Sequence, residues 1–189
     1  MVQLYTLEPI ISVLEQGGLI LFPTDTIWGI GCDATNSKTV ERVRALKQVS
    51  RQEPLVILAA SIEMLKQYVP FIHPRIETLL LFHLRPLTII YEQASGLPEN
   101  ALGPDGSVAM RIPHDDFCST LLTAFGKPIV ATSASIGQAP WPHHFGEISS
   151  AVIEGIDYVV KHRQMEKTMG EPSVIARLGD DEELAFIRE

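Results

Sequence analysis

The sequence predicts one α/β domain in three layers, with a twisted sheet of about seven strands set between helices. Three observations carry that prediction. Short apolar runs such as Leu19-Ile20-Leu21-Phe22 recur along the chain, as in strands buried on both faces. Segments with helical spacing of apolar residues alternate with them. No internal repeat, low-complexity tract or linker interrupts the 189 residues, so 1–189 reads as a single domain long enough to bury a sizeable core.

Leu7, Ile10, Ile11 and Leu14 fall at i, i+3, i+4 and i+7, which makes an amphipathic helix stopped by Gly17-Gly18. Leu19 to Phe22 follows as a buried strand that Pro23 ends, and the polar stretch after Pro23 is expected to be exposed. Val40, Val43, Leu46 and Val49 share one side of a helix over 38–49, with Asn36 or Ser37 to cap it. Pro54 to Leu58 reads as a strand, and Ile62, Leu65 and Val69 mark a helix closed by Pro70. Pro74 opens a further helix striped by Ile76, Leu79 and Leu80, before a strand over 87–91. After a loop rich in Gly and Pro over 96–106 come a strand over 108–112, a helix over 116–125 with Phe117, Leu121 and Phe125 inward, and a strand over 129–131. The last third adds a helix near 147–153 and strands at 158–160, 174–176 and 185–187.

Hydrophobic residues make up 46% and charged residues 20%, the balance of a globular protein rather than a disordered one. The net charge of −8 argues against a protein that coats nucleic acid, so RNA contact would need a local basic patch. Arg42, Arg44, Lys47 and Arg51, on one helix and its following loop, are the candidates for one. Cys32 and Cys118 stand far apart without a Cys-x-x-Cys or Cys/His pattern, so neither a disulfide framework nor a structural zinc is expected and a reducing cytoplasm fits. Met1 to Tyr5 lacks a signal-peptide pattern, and no stretch reaches the ~18 apolar residues of a membrane span. His143-His144 is an adjacent pair whose side chains point apart on extended backbone, so no metal site is expected there, and Asp180 to Glu183 reads as a solvated turn.

Four constellations remain as candidate chemistry. The turn Pro23-Thr24-Asp25-Thr26 either presents hydroxyls and backbone N–H groups to a small polar ligand or satisfies its own backbone. Lys47 and Arg51, between a helix and a strand, can neutralise phosphates, although a solvated face has the same composition. Arg111 ends an alternating strand just before Pro113, where a guanidinium clamps a carboxylate or phosphate or forms a structural ion pair. Thr132-Ser133-Ala134-Ser135 with Gly137 offers small hydroxyls on a tight backbone, without the pattern of a P-loop or of a serine-hydrolase elbow.

Taken in order, LILFPTDTIWGIGCDA, LKQVSRQEPLVIL, RPLTIIY, SVAMRIP, PIVATSASIG, EPSVIARL and LAFIRE resemble the YrdC/YciO family over nearly the whole chain. The resemblance implies a YrdC-like fold with a mixed sheet, and the chemistry of a threonylcarbamoyl-AMP synthase acting toward threonylcarbamoyl adenosine in tRNA. Threonine, bicarbonate and ATP are then the substrates, Mg2+ is expected with ATP, and tRNA-modification proteins stand downstream. By motif match Thr24, Thr26, Arg111, Ser133 and Ser173 line the threonine pocket. Lys47, Arg51, Ser107, Ser135 and Arg188 fall where the nucleotide is expected, with Lys47 and Arg111 as the catalytic pair.

The sequence also departs from the family pattern. The family's Lys-x-Arg-Pro is here Lys47-Gln48-Val49-Ser50, with Arg51 two residues beyond the usual arginine, and Ser-Ala-Asn is Ser133-Ala134-Ser135. Leu58 stands where archaeal-type members have His, and Trp28 where Tyr is usual. Three readings follow: a working synthase, a YciO-like paralogue that binds nucleotide with altered or weak activity, and an RNA-binding module.

Overall fold

In the computed structural model, residues 6–167, 170–179 and 182–188 are described; the expectations placed on Met1 to Tyr5, and on Asp180 and Asp181 of the acidic run, lie outside them. The first helix, α1 (Glu8–Glu15), ends as its glycine signal predicts, with Gly17 at φ +76°. Strand β1 (Ile20–Phe22) turns back into β2 (Gly29–Asp33), and Asn36 caps α2 (Ser37–Lys47) by accepting from the Lys38 amide. There follow β3 (Val56–Leu58), α3 (Ile62–Tyr68), α4 (Pro74–Phe82), β4 (Leu87–Tyr91), β5 (Val108–Arg111), α5 (Asp116–Phe125) and β6 (Ile129–Ser133). The chain finishes with α6 (Ser150–Glu154), β7 (Tyr158–Val159), β8 (Val174–Leu178) and β9 (Leu184–Arg188).

These strands form one mixed sheet in the order β7-β1-β2-β6-β3-β5-β4-β8-β9. It has nine strands rather than about seven, and the strand with no sequence signal is β2. Its run Gly29-Ile30-Gly31-Cys32-Asp33 lacks the β-branched and aromatic enrichment of a strand. Packing explains the glycines: a Cβ on Gly31 would stand 2.6 Å from the Phe22 ring and 3.0 Å from the Val130 carbonyl.

Strand residues alternate between two cores. Leu19, Leu21, Ile30 and Ile57 pack with Val40 and Val43 of α2, Leu65 of α3, Ile76 and Leu80 of α4 and Val152 of α6. Ile20, Phe22, Leu58 and Ile129 pack on the opposite face with Ile10 and Leu14 of α1 and Phe117, Leu121 and Phe125 of α5. Three layers result, as expected.

Several element boundaries shift by a residue or two from the sequence reading, and three segments differ in kind. The second helix stops at Lys47, because Gln48 adopts the left-handed conformation at φ 55°, and Val49 leaves the helix altogether. The helix near 147–153 is a 3-10 turn over Phe145–Glu147 followed by α6, which Ser149 caps by accepting from the Val152 amide. The loop over 96–106 contains a further 3-10 turn at Glu99–Ala101.

Candidate functional site

The helices leave part of one sheet face uncovered. Val56 of β3, Ile90 of β4, Ala109 of β5, Ala131 of β6 and Ile175 of β8 form the floor of a cleft of about 430 Å³, a size suited to a small molecule. A floor across the sheet face, rather than at strand ends alone, needs short or branched side chains at alternate positions, which these strands supply.

One wall is the turn after β1. Thr24 is buried, so the stretch following Pro23 is not exposed as expected. Arg111, at the end of β5, is also buried and donates from Nη1 to Asp25 Oδ1 at 2.6 Å and from Nη2 to Thr26 Oγ1 at 3.0 Å. The Thr24 hydroxyl lies 2.8 Å from that of Thr26 and 2.8 Å from the Ile27 carbonyl, while the second Asp25 oxygen accepts the His114 amide at 3.0 Å. The turn satisfies its own backbone, and Thr24 and Thr26 also line the cleft. Arg163, at φ 61°, braces it from behind by donating to the Thr24 carbonyl and to Asp115. Gly170 also closes on it, since a Cβ there would collide with the Thr26 carbonyl.

The second wall joins the end of α2 to the end of β6. Lys47 is buried, and its ammonium donates to the carbonyls of Ser133 and Ser135 at 2.7 and 2.8 Å and to Ser133 Oγ at 3.1 Å. Burial lowers its pKa to about 8, against a smaller opposing influence of the Glu53 carboxylate. The Ser133 and Ser135 hydroxyls are 3.0 Å apart, and the Gly137 amide donates to the Lys47 carbonyl at 2.7 Å. Val49, Glu53 and Pro54 continue this wall toward solvent.

Across the floor, Ser173 shares a 2.7 Å hydrogen bond with Thr88, and Arg188 of β9 donates twice to the Ser173 carbonyl. Desolvation first, and the nearby Arg111 second, lower the Arg188 pKa. Lys47, Arg111 and Arg188 thus face a cleft whose lining, among the described residues, holds one carboxylate, Glu53, a balance suited to an anionic ligand.

Of the residues singled out in the sequence, Thr24, Thr26, Lys47, Arg111, Ser133, Ser135, Ser173 and Arg188 line this one cleft. Arg51 and Ser107 do not. Arg51 is exposed beside Glu41, 3.8 Å away, and Ser107 bonds Asp105 at the start of β5. The basic patch is dispersed as well: Arg44 is buried and donates to backbone carbonyls of Asn100, Ser50 and Glu53, Lys47 is buried, and Arg42 pairs with Asp157 at 2.8 Å. Leu58 is wholly buried in the core beneath α5, and Trp28 packs on Phe145 with ring centroids 5.0 Å apart. Among the described residues no three His, Cys, Asp or Glu side chains gather to hold a metal ion, and both cysteines are buried and free.

Sequence reasoning gave no role to Asp25 beyond its place in the turn, and it missed Arg163, Glu53, Gln138 and Trp141. Arg163 pairs locally only with Glu166, and the two groups through which it braces the turn lie 139 and 48 positions away. Trp141 had one, as a lone aromatic between Pro140 and Pro142 in a polar loop.

A family model for Sua5, YciO and YrdC proteins, described as telomere recombination, matches residues 12–189. The threonylcarbamoyl-AMP synthase of Pseudoalteromonas translucida (strain TAC 125) is 31% identical over 158 residues, which cover 82% of this chain and 84% of that protein. That of Yersinia enterocolitica is 33% identical over 138 residues, covering 71% and 73%. Among solved structures, P. abyssi Sua5 complexed with L-threonine superposes with a TM-score of 0.81 at 25% identity, over 91% of this chain and 50% of that one. The chain therefore spans about half the length of that Sua5. E. coli YciO, at 20% identity, shares the fold with a TM-score of 0.84 over 97% of this chain and 88% of its own.

Proposed function

The chain belongs to the Sua5/YciO/YrdC family, and on that premise we propose that it is a threonylcarbamoyl-AMP synthase, a cytoplasmic nucleotidyltransferase acting in tRNA modification. One observation carries the reading: a buried Arg111 tied to a threonine-rich turn faces the Lys47–Ser133–Ser135 wall across a single cationic cleft. Threonine enters on the Arg111 side. Three of the five guanidinium N–H groups are engaged by Asp25, Thr26 and, at 3.5 Å, Thr24, which leaves two for the substrate carboxylate. The hydroxyls of Thr26 and Ser173 complete that end of the pocket.

ATP occupies the remainder, with its phosphates toward Lys47, Ser135 and Arg188. The threonine amine and bicarbonate join as a carbamate with loss of water. A carbamate oxygen then attacks the α-phosphorus, the bond from that phosphorus to the bridging oxygen breaks, and pyrophosphate leaves. The chain's own contribution is positioning and charge neutralisation, with no covalent nucleophile. Mg2+ would accompany the triphosphate and neutralise part of its charge, and Glu53, the one carboxylate of the described cleft lining, would be the side chain able to help hold it. The carbamoyl-adenylate then passes to tRNA-modification proteins.

A second reading, the paralogue that binds nucleotide or an acyl-adenylate with weak synthase activity, is favoured by a specific observation. The wall assigned to phosphate shows Val49 and Glu53 to the cleft, and all three Lys47 protons are already engaged. Threonine- and bicarbonate-dependent release of pyrophosphate from ATP decides between the two. Release requiring both co-substrates supports the synthase; ATP binding without turnover supports the paralogue.

A further inference from the structure

We infer that Trp141 is the platform on which the purine base of a bound nucleotide stacks, with the neighbouring Gln138 amide placed to read the base edge. The inference rests on the nucleotide reading above and adds what nothing in that reading supplies, a site for the base. Trp141 is the only aromatic side chain among the described residues lining the cleft, and it keeps 42% of its surface exposed while the other tryptophan, Trp28, keeps 6%. An indole left open to solvent forgoes its burial energy, so its position at a cleft mouth points to a flat partner that completes the burial.

The backbone around Trp141 makes it a fixed surface rather than a loose one. Its loop is anchored upstream, where the Gly137 amide donates to the Lys47 carbonyl at 2.7 Å. It is anchored downstream as well, where Phe145 stacks on the buried Trp28 and Glu147 accepts the His143 amide at 2.8 Å and meets the His144 ring. Pro140 and Pro142 restrict the backbone on either side of the indole. The ring is therefore presented with little conformational entropy left to lose.

The upstream anchor also sets what the platform faces. Gly137 ties the loop to the residue whose ammonium holds Ser133 and Ser135, so the indole and the cationic wall belong to one rigid unit. A ligand spanning both has an aromatic plane at one end and anionic groups at the other, which describes a nucleoside phosphate. Gln138, also on the cleft lining, offers one acceptor and two donors and so can pair with an adenine edge. Threonine and bicarbonate, having no aromatic ring, gain little from this surface.

The test compares ligands with and without a base. Affinities of ATP and of inorganic tripolyphosphate are measured by calorimetry for the wild type, Trp141→Ala and Trp141→Phe, and acrylamide quenching of tryptophan fluorescence is followed during each titration. Trp141→Ala is expected to weaken ATP by about 10-fold while leaving tripolyphosphate unchanged, and Trp141→Phe to recover most of the loss. In the wild type, ATP but not tripolyphosphate should shield the exposed indole from acrylamide. Equal ATP affinity in the wild type and Trp141→Ala overturns the inference and leaves the nucleotide reading standing. Failure of the wild type to bind ATP at all overturns both.

Discussion

The two walls of the cleft are built on different principles. On the turn side, Arg111, Asp25, Thr24 and Thr26 bond one another through their side chains, and the Arg111–Asp25 pair at 2.6 Å is nearly free of solvent. The opposite wall hangs on a single ammonium: Lys47 gathers two carbonyls and a hydroxyl, and beyond it the chain runs through Val49 into the exposed segment 50–54. The first wall is held in place by its own side chains. The second depends on one proton and on what the ligand itself brings. On the proposed reading, threonine would meet a finished site and a polyphosphate one with little cationic charge to spare.

The sharpest way to break this contrast is Arg111→Ala. It strands the Asp25 carboxylate in a nearly dry position, so a loss of about 3–5 kcal/mol in denaturant-derived stability is expected together with loss of pyrophosphate release. A variant that keeps wild-type stability and turnover would show that the turn wall is not held by this pair. Lys47→Ala should also abolish turnover, yet it should cost less stability, because the carbonyls it leaves stand close to open cleft.

A gentler probe of the second wall is pH. The Lys47 pKa is depressed to about 8, so the ammonium is fully charged below that value and loses its charge as pH rises through it. The rate should therefore fall along an alkaline limb with a midpoint near 8, and a profile flat to pH 10 would remove Lys47 from the chemistry. The smallest expected effect is that of Glu53→Gln, which removes the one carboxylate of the described lining. Affinity for ATP without Mg2+ should rise by about two- to fivefold and threonine affinity stay unchanged, read by calorimetry at low and high salt.

Legibility in the sequence followed the same division. The turn wall announces itself locally, because Pro23 ends an apolar strand and three polar residues follow at once. The other wall could be named only in pieces: Lys47 and Ser133 are 86 positions apart, and neither shows in sequence that it meets the other. Arg51, expected near the nucleotide, lies outside the described lining. It stands only four residues after Lys47, yet the left-handed turn at Gln48 redirects the chain and leaves Arg51 beside Glu41 instead of in the cleft. Ser107 likewise lies outside the described cleft lining, its hydroxyl bonded to Asp105.

By itself the sequence determined the three-layer α/β architecture and eight of the nine strands, because periodicity, caps and proline stops act over a few neighbours, and the family resemblance pointed to Thr24, Thr26, Lys47, Arg111, Ser133, Ser135, Ser173 and Arg188 of the cleft. Only the tertiary structure decided that β2 exists, that the cleft crosses an open sheet face, that Arg111 is clamped by Asp25, and that Trp141 stands at the mouth. Each of those depends on groups brought together from distant positions. The glycines of β2 are strand residues only because Phe22 and Val130 fill the space beside them, and no local preference of Gly29 or Gly31 could report it.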